Sequence, residues 1–169
     1  MKEEERAAFL GHFLGNEELD LGSLIQMDIE TEEAKTLVGF CVLGGIFGEG
    51  IDLKNDSLIG AIVVGTGIPQ VCLERELIKE YFDETMSGGY EYAYLYPGMN
   101  KVLQAAGRVI RTQEDTGVVA LLDDRFLNSS YRGLFPREWS NYRVVDQKSM
   151  KNALAEFWRS VDLHNFEKK

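Results

Sequence analysis

A glutamine and two arginines lie close together in the segment QAAGRVIR, residues 104 to 111, and their spacing suits phosphate chemistry. If the segment is helical, residues three and four apart share a face, so Gln104, Gly107 or Arg108, and Arg111 lie on one side. Guanidinium groups bind multi-oxygen anions through paired hydrogen bonds, and a glycine between them allows close approach. The segment therefore fits a triphosphate, although a solvent-exposed helix face also carries arginines.

A second chemical feature is the glycine-rich segment GGIFGEGID, residues 44 to 52, in which four of the first seven residues are glycine. Glycines let the backbone turn sharply and bring main-chain N–H groups close to a ligand. Glu49 and Asp52 add oxygens that accept hydrogen bonds from a sugar hydroxyl or an arginine. A tight turn with solvated acids would show the same pattern.

Alternating strands and helices are predicted to position these residues. Apolar runs predict buried strands at 36–44, 59–67 and 117–124, and helical periodicity predicts helices at 3–14 and 70–86. EYAYLYPG, residues 91 to 98, is predicted to be a short strand or an extended piece, and Asn100 is a candidate cap for the helix carrying QAAGRVIR. This order is typical of α/β folds with a mostly parallel sheet, where ligands collect at the carboxyl ends of the strands.

The last segment, DQKSMKNALAEFWRSVDLHNF, has the periodicity of an amphipathic helix. We predict that residues 146–169 form a helix that packs on a domain spanning residues 1–145; an alternative is that the apolar stripe meets a neighbouring domain. LLDDRF, residues 121 to 126, places Asp123 and Arg125 at the end of a strand, as a structural pair or as neighbours of the site.

Composition excludes several functional classes. The net charge is -10 and is uneven, because residues 1–98 carry -13 and residues 99–169 carry +3. An anionic partner would therefore dock on the second half, although the whole chain is too acidic for a free-standing nucleic-acid binder. Two cysteines and two histidines lack the spacing of zinc or iron–sulfur ligands, so we expect no metal site. No apolar run suits a signal peptide or a membrane span, and we expect a cytoplasmic protein without membrane contact.

A dinucleotide-binding loop is a weaker possibility. VVGTGIPQ, residues 63 to 70, offers GxG after a strand, but the third glycine of that fingerprint would fall on Gln70. Pro69 also interrupts the turn where the helix should begin. The residues therefore argue against a nicotinamide or flavin site.

Taken in order, these segments resemble the second motor domain of superfamily 2 DNA helicases of the DinG/XPD type. The resemblance covers roughly residues 36 to 140 and depends on the combination of GEGID, QAAGRVIR and LLDDRF at suitable distances. It implies a three-layer RecA-like fold of the P-loop NTPase type, with helices on both faces of the sheet. It also implies an ATP-dependent DNA helicase that acts on single-stranded DNA.

The resemblance assigns roles to particular residues. GGIFGEGID is similar to motif V, which implies nucleotide contacts by Gly48, Glu49, Gly50 and Asp52, joined by Gly107, and DNA contacts by Gly44, Gly45 and Thr66. QAAGRVIR is similar to motif VI, which implies that Gln104, Arg108 and Arg111 line a cleft between two motor domains. The two arginines would there act as fingers on the γ-phosphate.

The chain lacks two motifs of the family pattern, and another domain must supply them. No Gly-Lys dipeptide occurs, so a phosphate-binding loop of the type GxxxxGK[ST] is impossible, and no DExH box occurs either. We expect ATP and Mg²⁺ to be bound jointly with an N-terminal helicase domain of a parent protein, and no iron–sulfur cluster in this chain. The chain looks N-terminally truncated and should be inactive alone. The alternative is a non-catalytic helicase-like interaction module.

Overall fold

The structure is a computed structural model that describes residues 37–45, 58–112 and 115–167 of the chain. The chain divides into two compact units, Met1–Phe126 and Leu127–Lys169. The predicted helix at residues 3–14 lies outside the described residues. The predicted domain limits, 1–145 and 146–169, stay a prediction.

A parallel pair of strands forms the sheet of the first unit. β1, Gly60–Val64, pairs with β2, Val118–Leu122, and the register sets Gly60 beside Val118 and Val64 beside Leu122. Parallel strands need a crossover connection, which the intervening helices provide. The strands predicted within 59–67 and 117–124 are thereby confirmed, and the arrangement is compatible with an α/β fold.

Two helical segments follow β1 along the chain, separated by Gly88 and Gly89. α1, Leu73–Thr85, confirms the helix predicted over 70–86, and it is followed by a π-helical turn, Glu91–Leu95, that runs directly into α2, Tyr96–Ala106. Arg75 Nη1 donates to the Ala93 carbonyl at 3.2 Å, and the Tyr94 hydroxyl donates to Glu76 Oε1 at 2.5 Å. These bonds join α1 to the π-helical turn, and the second of them raises the pKa of Tyr94 to about 12.

The core of the first unit lies between this helical segment and the sheet. α2 contacts β1, and the buried apolar residues in the described part of the unit are Val63, Ala93, Tyr94, Leu95, Met99, Val102, Ala106, Val109 and Phe126. Ile62 and Val64 point to the opposite side of β1 from Val63, and they are 71% and 76% exposed. A helical layer on that second face stays a prediction.

The extended piece predicted at residues 91–98 is wrong, because these residues are helical. Tyrosine favours strands on average, but β-propensity depends on packing context. Here the tyrosines repeat at helical spacing: the rings of Tyr90 and Tyr94 are 5.7 Å apart and those of Tyr92 and Tyr96 are 5.2 Å apart. Asn100 consequently lies inside α2, so it is not the helix cap that the sequence suggested.

The strand predicted over 36–44 is also wrong for its described residues, 37–44, which form no strand. Val38, Phe40 and Val42 are largely exposed, and Phe40 is 94% exposed. Branched and aromatic residues form a strand only where a neighbouring strand pairs with the backbone. Within the described residues the sheet contains only β1 and β2.

The second unit is helical. A 3₁₀ turn, Asp124–Leu127, leaves β2, and then come α3, Ser129–Arg132, a second 3₁₀ turn, Arg137–Asn141, and α4, Gln147–Glu167. Asp146 begins α4 by accepting a hydrogen bond from the Ser149 backbone N–H at 2.8 Å. The amphipathic helix predicted at the end of the sequence is confirmed; its packing on the first unit stays a prediction. Among the described residues, no helix is long and apolar enough to cross a membrane.

Candidate functional site

Two loop segments and the start of α2 meet at the carboxyl end of β1, and glycines allow their close approach. A β-carbon placed on Gly67 would lie 2.7 Å from the Gly98 carbonyl oxygen and 3.0 Å from Leu43 Cδ2. A β-carbon on Gly44 would lie 2.9 Å from Cδ of Lys101. Gly44 and Gly67 also have φ of 75° and 67°, a region that L-residues with side chains rarely adopt. Segments 43–45 and 65–68 are therefore packed against the first turns of α2.

Two of the predicted DNA-contact residues, Gly44 and Gly45, lie in a turn at this junction. The Gly45 N–H donates to the Val42 carbonyl at 2.9 Å, and Gly44 lies under the aliphatic stem of Lys101. The third, Thr66, is 1% exposed, and its hydroxyl has no hydrogen-bond partner among the described residues. The Thr66 side chain is therefore an internal part of the junction, and a DNA contact by its hydroxyl would require the loop to open.

Lys101 is the cation at this junction that sequence reasoning missed. It is half-buried on α2, one helical turn before Gln104, and it makes no ion pair with any described residue. Lysine stems pack on apolar and backbone surface while the ammonium group stays in water. The signal in the sequence was its spacing of three residues from Gln104, which places both side chains on one face of a helix.

The helical face that the sequence predicts for Gln104, Arg108 and Arg111 does not extend over all three residues, because α2 ends at Ala106. The Gly107 N–H donates to the Leu103 carbonyl at 2.8 Å, and the Arg108 and Val109 N–H groups donate to Ala105 and Ala106 at 3.2 and 3.0 Å. Gln104 is an exposed helical residue, whereas Arg108 and Arg111 lie beyond the helix end. The prediction of one helical face carrying all three is therefore wrong. The helix ends because the Arg108 and Val109 N–H groups bond to carbonyls three residues back, in a tight turn that replaces the α-helical pattern.

Arg111 is exposed, and the backbone that carries it is held at several points. The Asp115 carboxylate accepts hydrogen bonds from the N–H groups of Arg111 and Thr112, at 2.9 and 2.7 Å from Oδ2. These bonds, first that of Thr112 and then that of Arg111, lower the pKa of Asp115. Val109 is buried and packs tightly against Gly117, just before β2. Hydrogen bonds and packing thus hold the described part of the loop between α2 and β2 at both ends and at Arg111.

The carboxyl end of β2 carries a fixed ion pair. Arg125 donates to Asp123 from Nε at 2.9 Å and from Nη2 at 2.7 Å, and its backbone N–H adds a third bond at 2.9 Å. The Arg125 side chain lowers the pKa of Asp123 to about 2. The Gly65 N–H donates to the Leu122 carbonyl at 3.2 Å, so the Thr66 loop and the start of this pair lie at the same edge of the sheet. Asp123 and Arg125 therefore pair with each other, which is the structural role that the sequence allowed for them.

The predicted nucleotide-contact residues Gly48, Glu49, Gly50 and Asp52 lie outside the described residues. Gly107 is exposed, directly before Arg108. In the parts of the chain that the structure describes, no group of three or more His, Cys, Asp or Glu side chains could hold a metal ion. The described site therefore has two parts: close backbone turns beside half-buried Lys101 at the carboxyl end of β1, and exposed Arg111 in the loop that precedes β2.

Comparison with known proteins shows which family and which proteins this chain is similar to. A family described as the helicase C-terminal domain matches residues 2–142. The chain is 35% identical over 132 residues to the ATP-dependent DNA helicase chl-1 of Caenorhabditis elegans, covering 76% of this chain and 15% of that protein.

Bacterial and archaeal relatives match over shorter or more divergent stretches. The chain is 34% identical over 89 residues to the ATP-dependent DNA helicase DinG of Photobacterium profundum, covering 52% of this chain and 13% of that protein. It is 27% identical over 125 residues to a probable ATP-dependent helicase of Methanocaldococcus jannaschii, covering 68% of this chain and 19% of that protein. The matched region thus spans less than a fifth of these curated relatives.

Proposed function

Because the chain belongs to the helicase C-terminal domain family, in its DinG/XPD-type branch, we propose that it is the C-terminal motor part of an ATP-dependent DNA helicase. In this proposal it supplies arginine fingers to an ATP site between two motor domains and part of a track for single-stranded DNA. The partner domain is the N-terminal helicase domain of the parent protein.

The observation that carries the proposal is the placement of Arg111. It is exposed just past the end of α2, on a backbone segment tied to Asp115, with Arg108 in the turn before it and Gln104 exposed on the helix. In the proposal, the Arg111 guanidinium group neutralises charge that develops on the γ-phosphate during phosphoryl transfer, a contribution of about 10³ to 10⁵ in rate. In the proposal, the nucleotide side is completed by Gly107, which is exposed directly before Arg108, and by Gly48, Glu49, Gly50 and Asp52.

The other half of the cleft must come from the first motor domain. The chain contains no Gly-Lys dipeptide for a phosphate-binding loop, and its described carboxylates form no metal-binding group. We therefore place the phosphate cradle and the Mg²⁺ ligands on the partner domain, and no step here depends on them. The chain alone does not hydrolyse ATP in this proposal, and its parent acts in the cytoplasm.

The DNA track is proposed to run past the junction of segments 43–45 and 65–68 with α2. Gly44 and Gly45 present a main-chain turn there, and Lys101 adds a cation. Contacts of this kind neutralise phosphates and read no sequence, so binding should weaken steeply with salt. Thr66 supports the track from inside, because its side chain is buried. Closure and opening of the ATP cleft would move the strand along both domains.

The test is DNA-stimulated ATP hydrolysis by the chain with and without the parent's N-terminal domain. We expect activity only when both are present, and a loss of at least about 10³ in kcat for Arg111→Ala. Arg159→Ala is the matched control, because Arg159 is an exposed arginine on α4. Equal ATP hydrolysis by the wild-type and Arg111→Ala proteins would overturn the finger role.

One observation favours a second candidate, a non-catalytic helicase-like interaction module. Leu73, Leu77 and Tyr81 recur every four residues on α1 and are 73%, 56% and 61% exposed. An apolar stripe of this kind is a typical protein-binding surface. In that case Leu77→Asp would abolish partner binding, while Arg111→Ala would leave every measured activity of the parent unchanged.

A further inference from the structure

Asp115 lies at the far end of the loop that carries Arg111, where it accepts hydrogen bonds from consecutive backbone N–H groups. Its Oδ2 is 2.9 Å from the Arg111 nitrogen and 2.7 Å from the Thr112 nitrogen. A carboxylate that receives paired N–H donors fixes the direction of both peptide planes, and charge-assisted bonds are stronger than neutral ones. The direction of the Arg111 Cα–Cβ bond follows from that of its peptide plane.

The rest of the loop is anchored independently. On the helix side, the Gly107 and Val109 N–H groups are bonded to the last turn of α2, at 2.8 and 3.0 Å. On the strand side, Val109 is buried against Gly117, and the Val118 N–H donates to Ile59 at 3.0 Å as β2 begins. The Asp115 bonds hold the backbone N–H groups of Arg111 and Thr112 between these anchors.

We propose that Asp115 is the positioning residue of the arginine finger: its carboxylate fixes the Arg111 backbone before nucleotide and the partner domain arrive. This inference rests on the proposed finger role of Arg111. Holding a catalytic group in its working geometry in advance removes an entropic cost from the reacting complex, and small misplacements reduce rates strongly. Asp115 itself touches no reacting atom.

Hydrogen exchange in the chain itself provides the first test. Asp115→Ala should raise amide exchange at Arg111 and Thr112 at least about fivefold, the effect of removing one net hydrogen bond at each site. Asp115→Asn should retain most of the protection, because the amide oxygen still accepts both bonds. Glu80→Ala, at an exposed carboxylate of α1, should leave both amides unchanged. Unchanged exchange in Asp115→Ala would overturn the structural basis of the proposal.

ATP hydrolysis by the parent protein provides the second test and separates positioning from general destabilisation. Asp115→Ala should lower kcat about 10- to 100-fold with little change in KM for ATP, and Asp115→Asn should restore most of kcat. The double variant Arg111→Ala/Asp115→Ala should be no slower than Arg111→Ala, because Asp115 acts through the arginine.

The outcomes distinguish the inference from the function on which it rests. If Arg111→Ala lowers kcat and Asp115→Ala does not, the positioning role is wrong while the finger stands. If the double variant loses the product of the two single effects, Asp115 acts independently of Arg111 and the proposal is also wrong. If Arg111→Ala has no effect, the proposed function itself fails.

Discussion

Gly98 of α2 lies so close to Thr66 that a β-carbon on Gly98 would be 2.8 Å from the Thr66 carbonyl oxygen and 3.0 Å from the Ile68 nitrogen. Both neighbours are backbone atoms, which cannot move aside as a flexible side chain does. This contact brings the loop after β1 against the start of α2. It therefore sets the distance between the proposed DNA junction and the helix that leads to Arg111.

Gly98→Ala should consequently destabilise the chain by about 1–3 kcal/mol, the usual cost of inserting a methyl group into a packed site. Urea denaturation followed by circular dichroism measures this change. Gly60→Ala is the matched control, because a β-carbon there would meet the Val118 carbonyl at an ordinary 3.4 Å. A destabilisation by Gly98→Ala no larger than that by Gly60→Ala would contradict the close contact.

Gly107→Ala should separate folding from function. Gly107 has φ of -66°, which alanine adopts freely, and its β-carbon would lie 3.2 Å from the Leu103 carbonyl. The free energy of unfolding should therefore change by less than about 1 kcal/mol. If Gly107 faces nucleotide as proposed, the methyl group should instead raise KM for ATP in the complemented enzyme. Unchanged KM and kcat would remove Gly107 from the nucleotide site.

The sequence predicts the sheet better than it predicts the site. Apolar runs next to a turn glycine, Gly65 after β1 and Gly117 before β2, identified the two strands. The helical tyrosine segment was missed because tyrosine favours strands on average, whereas the ring contacts at spacing four are visible only in three dimensions. The segment at 37–44 was misassigned because strand formation needs a partner, which composition does not reveal.

The site residues that the sequence suggests stay a prediction, whereas the backbone geometry expected for them was wrong. QAAGRVIR suggested a single helical face, but the helix end at Ala106 depends on the turn that follows it, not on side-chain periodicity. Lys101 and Asp115 were missed for a related reason. Lys101 contacts a loop at Gly44, and Asp115 contacts a loop at Arg111. Neither contact can be read from the sequence.

Lys101→Ala should weaken binding of single-stranded DNA and reduce its dependence on salt. Removing one phosphate–lysine ion pair from a single-strand complex lowers the slope of log K against log salt by about 0.7. Fluorescence anisotropy with a labelled oligothymidine at several salt concentrations measures the slope. Lys148→Ala, at an exposed lysine of α4, should leave the slope unaltered. The same slope for wild type and Lys101→Ala would exclude binding of a DNA phosphate by Lys101.

Asp123→Asn should reduce stability in a pH-dependent way, because Arg125 holds the folded-state pKa of Asp123 at about 2, below the ordinary 3.8. A lowered pKa in the folded state means that the ionised carboxylate stabilises the fold above pH 3.8. That contribution decreases below pH 3.8 and is lost as the pH falls through about 2. At pH 7 we expect a loss of about 0.5–1 kcal/mol, since the Arg125 side chain is half-exposed and solvent screens the pair.

Urea denaturation of wild type and Asp123→Asn at pH 7, 4 and 2.5 measures the effect. The difference between the two proteins should be largest at pH 7 and should fall to roughly a third of that value at pH 2.5, where the folded-state carboxylate is still mostly ionised. Asp124→Asn is the control, because Asp124 is exposed and forms no ion pair within the described part of the chain. A difference that persists undiminished at pH 2.5 would show that the amide substitution acts through packing or hydrogen bonding, and that the charge on Asp123 contributes no stability.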